Sequence, residues 1–150
     1  MTKRRVVITG TGVLAPNGNC IPDFWNAISN GKSGIKKIKS FDTSNLNVKI
    51  AGELHGFDPN DHFEKKELKK LDPFSIYHIV SSREAINQSG FHKKNTNLDR
   101  VGVIIGSGIG GIQTLEEQAQ TYKSRGQRRV SPFFVPRMIA NIAAGNLAIE

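Results

Sequence analysis

Residues 103–111, VIIGSGIGG, limit what this chain can fold into more than any other stretch. A β-branched apolar run passes straight into glycines and then into residues with helical spacing. That is a buried strand, a tight turn and the start of a helix in immediate succession. Residues 5–8, RVVI, begin the same way and run into Gly10 and Gly12. Gly106, Gly108 and Gly111 also spell G-x-G-x-x-G, the phosphate-binding loop of dinucleotide enzymes.

A dinucleotide-binding unit needs more than three glycines. A second strand must follow the helix and end near an acid that holds the ribose hydroxyls, about 20 residues past the first glycine. That count lands on GQRRVS at 126–131, which has no acid. Arg128 and Arg129 suit a 2′-phosphate, but Pro132 and Pro136 interrupt the strand that would carry them. An NAD(P)-dependent oxidoreductase therefore stays a distant alternative. The structural role of the glycines, close packing at a strand–turn–helix junction, is the simpler account. Ile109 is then the apolar tip of the loop.

The rest of the chain reads as short elements. Pro22 opens a helix whose stripe is Phe24, Trp25 and Ile28 and which ends at Asn30-Gly31. Leu46, Val48 and Ile50 alternate like a half-buried strand. Residues 64–71, EKKELKKL, are helix-prone, and Asp72-Pro73 supplies an N-cap and first position for a helix carrying Phe74, Tyr77, Val80 and Ile86 up to Gly90. Residues 101–105 predict a second buried strand. The helix after the glycines shows Ile112, Leu115, Ala119 and Tyr122 on one face and a cap at Gly126. RRVSPFFVPR, with two prolines, predicts no regular helix. The final segment is apolar and rich in small residues, with Ala140, Ala144, Gly145 and Ala148 open to close approach.

Composition narrows the function classes. A chain of 150 residues with 37% hydrophobic and 23% charged residues is globular rather than disordered. Its apolar runs fall short of the roughly 18–20 residues that span a bilayer. The start, MTKRRVVITG, lacks an apolar signal-peptide region, so a cytoplasmic location is expected. Cys20 is the one cysteine, which excludes an intramolecular disulfide and argues against a thiolate metal cluster. Its loop, NGNCIPD, suits an ordinary thiol, and neither metal nor cofactor is expected. The net charge of +8 implies an anionic partner or a solubilising surface. The basic residues lie in scattered short groups without the interleaved aromatics that stack bases, so nucleic-acid binding ranks last.

Several blocks together resemble one family. They are RRVVITGTGVLAPNGN near the start, W-x-A-I-x-x-G-K-S-G-I at 25–35, FD at 41–42 and K-x-L-x-x-L-D-x-F at 66–74. RVGVIIGSGIGGIQTLE at 100–116 and RRVSPFFVPRMIANIAAGNLAI at 128–149 complete the set. In register over nearly the whole length, they are similar to the elongating β-ketoacyl-acyl-carrier-protein synthases of type II fatty-acid synthesis, most closely the synthase II type. Polyketide-type ketosynthases share these blocks and are the runner-up.

The resemblance implies an α/β, thiolase-like layered fold, of which residues 1–150 would be the amino-terminal half only and incomplete. It implies a homodimer that joins an acyl group, held on a cysteine, to malonyl-carrier protein with loss of carbon dioxide. The family's T-A-C nucleophile, its two catalytic histidines and its lysine match no position here; Cys20, His55, His62, His78 and His92 correspond to none of them. No catalytic residue is thus expected in this chain, which should not condense acyl groups by itself. At matching positions, Ile109 gates the acyl tunnel and Phe134 reaches the tunnel of the partner subunit. Lys66, Lys69, Lys70, Arg128 and Arg129 meet the acidic acyl carrier protein. Neither nucleic acid nor membrane is an expected partner.

Overall fold

A computed structural model describes residues 4–150. The chain divides into two compact units. One holds the described residues up to Phe57 together with Ser81–Lys94; the other holds Asp58–Val80 and Asn95–Glu150.

In the first unit, helix α1 spans Ile21–Ser29 with a proline in its first turn and ends at Asn30, followed by Gly31 at φ 64°. Ala27 is its buried residue, whereas Trp25 and Ile28 face outward, so the expected stripe is only partly turned in. Strands β1 (Lys36–Lys37) and β2 (Ile50–Ala51) pair antiparallel, Lys36 opposite Ala51 and Lys37 opposite Ile50. The alternating stretch at Leu46, Val48 and Ile50 is exposed, and only its end joins a ladder. The Glu53 carboxylate accepts the Lys39 N–H at 2.8 Å, the Ser40 N–H at 3.1 Å and the Ser40 hydroxyl, which fixes the chain beyond β1. These bonds, the Ser40 hydroxyl first, hold the Glu53 carboxyl below its ordinary value of 4.5.

The expected strand at 5–8 forms no ladder. Val6 is 92% exposed and Ile8 86% exposed. Extended backbone is a local preference, but a strand exists only when another segment supplies its hydrogen bonds. Gly10 and Gly12 serve close approach, since a Cβ at either would collide with the carbonyl oxygens of Ala85 and Ser81. The Glu84 carboxylate accepts the Val13 N–H at 2.9 Å and the Ile21 N–H at 2.7 Å, tying the glycine segment to the start of α1.

The second unit opens with a 3-10 turn at Pro59–Asp61, then α2 at Lys65–Leu68. A capping box between Glu64 and Glu67 starts α2. Helix α3 spans Pro73–Ser89, with Ser75, Ile76, Ile79 and Val80 buried. Its second half, from Ser81, belongs to the first unit. Residues 101–105 are also unpaired, and Ile104 is 98% exposed.

Helix α4 spans Ile112–Arg125 and closes at Gly126, φ 78°. Its apolar residues Ile112, Leu115 and Tyr122 are exposed, contrary to expectation. The face turned inward carries Thr114, Gln118 and Thr121. Gln118 Oε1 accepts the Ser131 N–H at 2.7 Å and so binds the proline segment. That segment, expected to be irregular, forms a 3-10 turn at Gln127–Arg129 and the short helix α5 at Phe134–Met138. Pro136 falls in the first turn of α5, where an N–H has no intrahelical partner to lose. Helix α6 spans Ile142–Ile149, with Ala143 fully buried. Among the described residues no helix is long and apolar enough to cross a membrane.

Candidate functional site

Every expected site residue belongs to the second unit. Gly106 and Gly108 have nothing within 4 Å of a Cβ position, so neither is required by close packing. The demanding glycines are Gly110 and Gly111. Gly110 sits at φ 76°, and a Cβ there would lie 2.7 Å from the Met138 carbonyl oxygen. A Cβ on Gly111 would lie 2.7 Å from the Arg137 carbonyl oxygen and 3.0 Å from Asp72 Oδ2. The Gly111 N–H donates to Met138 O at 2.9 Å, and the Gly110 N–H to Ser107 Oγ at 3.0 Å. The loop is therefore seated on the residues that end α5.

The start of α4 is already occupied by an acid. Asp72 is 3% exposed, and its Oδ2 accepts the Thr114 N–H at 3.0 Å and the Thr114 hydroxyl at 2.6 Å. Its Oδ1 accepts the Phe74 N–H at 3.2 Å, so the same side chain caps α3 as expected. Thr114 is fully buried. A pyrophosphate at a dinucleotide loop takes the free amides of the helix start. Here a carboxylate holds a first-turn amide and would repel that anion, which removes the physical basis of the cofactor alternative. Sequence reasoning identified Asp72 as a cap and missed Thr114, its partner 42 positions away.

His78 extends the contact between α3 and the loop. Its Nδ1 lies 2.6 Å from the Phe74 carbonyl oxygen and its Nε2 3.2 Å from that of Gly106. A carbonyl only accepts, so a neutral imidazole donates to one of the two at a time. Tyr77 is 39% exposed, and the partial burial of its phenol first, then the charge of Asp72, pushes it above its ordinary 10.0.

Ile109 is 70% exposed at the loop tip. Phe134 is half-buried at the start of α5. Neither lines the cavity of about 530 Å³ along residues 60–67 or the one of about 370 Å³ between Pro16 and His55. Lys66, Lys69, Lys70, Arg128 and Arg129 are all exposed. Only Lys66 is on α2; Lys69 is its C-cap and Lys70 follows in the turn, so the expected helical face is broken. Lys70 Nζ instead lies 5.8 Å from the centre of the Phe133 ring, within cation–π range. This contact joins one basic group to the segment that follows Arg128 and Arg129.

Cys20 lies in the first unit, half-buried. A hydrogen bond with the Asp23 backbone pulls its thiol down, but burial and the charges of Asp23 and Glu84 outweigh it, leaving the thiol above its usual 9.0. An activated nucleophile shows the opposite shift. Among the described residues no three His, Cys, Asp or Glu side chains are placed to hold a metal ion.

The fold matches that of solved ketosynthase structures. The ishigamide ketosynthase/chain length factor superposes with a TM-score of 0.82 at 22% identity, covering 99% of this chain and 37% of that one. A type II polyketide ketosynthase solved in complex with its acyl-carrier protein gives 0.79 at 22%, covering 98% and 38%. The family model for the beta-ketoacyl synthase N-terminal domain matches residues 3–150, and this chain belongs to that family. It is 46% identical to 3-oxoacyl-[acyl-carrier-protein] synthase 2 of Vibrio cholerae over 149 residues, 99% of this chain and 36% of that protein. The corresponding protein of Coxiella burnetii is 45% identical over 150 residues, again 36% of its length. The chain thus spans little more than a third of these curated relatives.

Proposed function

We propose that this chain works as part of an elongating condensing enzyme of fatty-acid synthesis. That enzyme would join an acyl group, held as a thioester on cysteine, to malonyl-acyl carrier protein with loss of carbon dioxide. The observation that carries this is the 46% identity to a synthase 2 over 99% of the chain. A polyketide ketosynthase is the second reading, favoured by the names of the structural neighbours, but their identity is only 22%. The nucleophile, the two histidines and the lysine of the reaction have no counterpart among these residues, so the 150-residue chain alone should not condense. The setting is taken as cytoplasmic and the working form as a homodimer.

Within this reading Ile109 meets the acyl chain at the tunnel mouth, and Phe134 reaches the tunnel of the partner subunit. Lys66, Lys69, Lys70, Arg128 and Arg129 receive the acidic carrier. Their exposure supports the assignment, and so does the solved ketosynthase that holds its own carrier protein. Exposed charges of this kind speed encounter more than they tighten binding.

The test is a chimera in which residues 1–150 replace the matching part of the Vibrio cholerae relative. Formation of 3-oxoacyl-carrier protein is expected, and a folded chimera without condensation refutes the reading. Lys69→Glu with Lys70→Glu in that chimera should weaken carrier binding at low salt and flatten its salt dependence. Unchanged low-salt affinity would refute the docking role.

A further inference from the structure

We propose that Asp72 is a positioning residue that sets the loop carrying Ile109, acting through Thr114. This rests on the reading of Ile109 as the residue that meets the acyl chain. The observation behind it is one buried carboxylate shared by two helix starts. Oδ1 caps α3 through the Phe74 N–H, while Oδ2 takes both the amide and the hydroxyl of Thr114 in the first turn of α4. The residues joined are 3% and 0% exposed, so water cannot substitute for either partner without a rearrangement.

Asp72 is one of two holds on this side of the loop, the other being Met138, whose carbonyl accepts the Gly111 N–H at 2.9 Å. Gly111 is the N-cap of α4, and its Cβ position lies 3.0 Å from the same Asp72 oxygen. The far end of the loop meets α3 again at His78, whose Nε2 faces the Gly106 carbonyl. Between these two attachments stand Ser107, Gly108, Ile109 and Gly110, stitched internally only by the Ser107–Gly110 bond. Gly106 and Gly108 have no neighbours that would hold them sterically. The position of Ile109 is therefore set by its flanks: the His78 contact on one side and, on the other, the seat of Gly110 and Gly111 on the end of α5, with the Gly111 N–H bonded to Met138 O at 2.9 Å, together with the charge-assisted, buried bonds of Asp72 to Thr114. The side-chain bonds of Asp72 go to Phe74 and Thr114 and not to Ile109 or Phe134, which is why its role is positioning rather than catalysis.

The test is amide hydrogen exchange on the 150-residue chain in dilute solution, comparing Asp72→Asn, Thr114→Val and Thr114→Ser. Thr114→Val keeps the shape and removes only the hydroxyl donor, so it addresses the bond even if Asp72→Asn unfolds. In Thr114→Val, amides from 107 to 114 should exchange about tenfold faster or more, with those of α6 in the same unit unchanged. Thr114→Ser, which keeps the donor, should restore slow exchange. Unchanged exchange in Thr114→Val overturns the proposal. So does equal acceleration in α6, which would make the bond a general stabiliser of the second unit, or a serine variant as fast as valine. No substrate enters this measurement. The acyl reading fails separately, if Ile109→Ala leaves the product chain lengths of the chimera unaltered.

Discussion

Alanine at Gly111 is expected to destabilise the second unit by about 2–3 kcal/mol, whereas alanine at Gly106 or Gly108 should be neutral or slightly stabilising. The added methyl at Gly111 would lie 2.7 Å from the Arg137 carbonyl oxygen, 2.8 Å from Met138 Cα and 3.0 Å from Asp72 Oδ2. Two of these atoms are backbone and the third is held by Thr114, so no flexible side chain can yield. The backbone angles of Gly111, φ −80° and ψ 63°, are open to alanine, and the cost is therefore one of contact. At Gly106 and Gly108 no atom lies within 4 Å, and alanine there mainly restricts the unfolded chain, a gain of about 0.4–1 kcal/mol. For a chain of this size roughly 2–4 °C accompanies each kcal/mol. Thermal unfolding followed by circular dichroism should then show Gly111→Ala melting about 5–10 °C below the parent. A dinucleotide loop would rank the three differently, because its first two glycines make the turn and admit the pyrophosphate. Equal melting of Gly111→Ala and Gly106→Ala would refute the packing argument.

Three further outcomes follow from single carboxylates. Glu84→Gln should cost about 1–3 kcal/mol in urea unfolding, because one charged acceptor holds both the Val13 and Ile21 amides; a shift under a few tenths would refute it. Glu53 is held below its ordinary 4.5, so its contribution is present above that pH and drains as pH falls through the lower folded value. Glu53→Gln should accordingly flatten the acid limb of the stability curve, and an unaltered limb would count against the Ser40 and Lys39 bonds. Tyr77, raised by burial and then by Asp72, should ionise above 10.0 in a Tyr122→Phe background followed by tyrosinate absorbance. Asp72→Asn should bring that midpoint only part of the way back, since burial remains; no movement would mean the Asp72 charge does not reach the ring.

The elements legible in the sequence were those whose causes are local. Pro22 and Asn30-Gly31 bracket α1, Asp72-Pro73 opens α3, and Gly90 and Gly126 end their helices at positive φ. Each depends on residues within a turn of the boundary, and the family blocks that placed Ile109 and Phe134 are equally a property of order along the chain. Pairing and facing were decided elsewhere. Residues 5–8 and 101–105 have the β-branched composition of strands, yet no other described segment offers them a ladder. On α4 the apolar side chains pointed to one face and the structure turned in the other, because Asp72 and Ser131 bond to Thr114 and Gln118. A hydrogen bond between Asp72 and Thr114 leaves no trace in periodicity, since the two groups are 42 positions apart. What the sequence determined alone was where the chain turns, caps and extends, and which family it resembles. Only the tertiary structure decided that Gly110 and Gly111 are the loop glycines required by close approach and that Asp72 bonds Thr114 beneath them, because close approach and buried polar partners arise when distant segments meet.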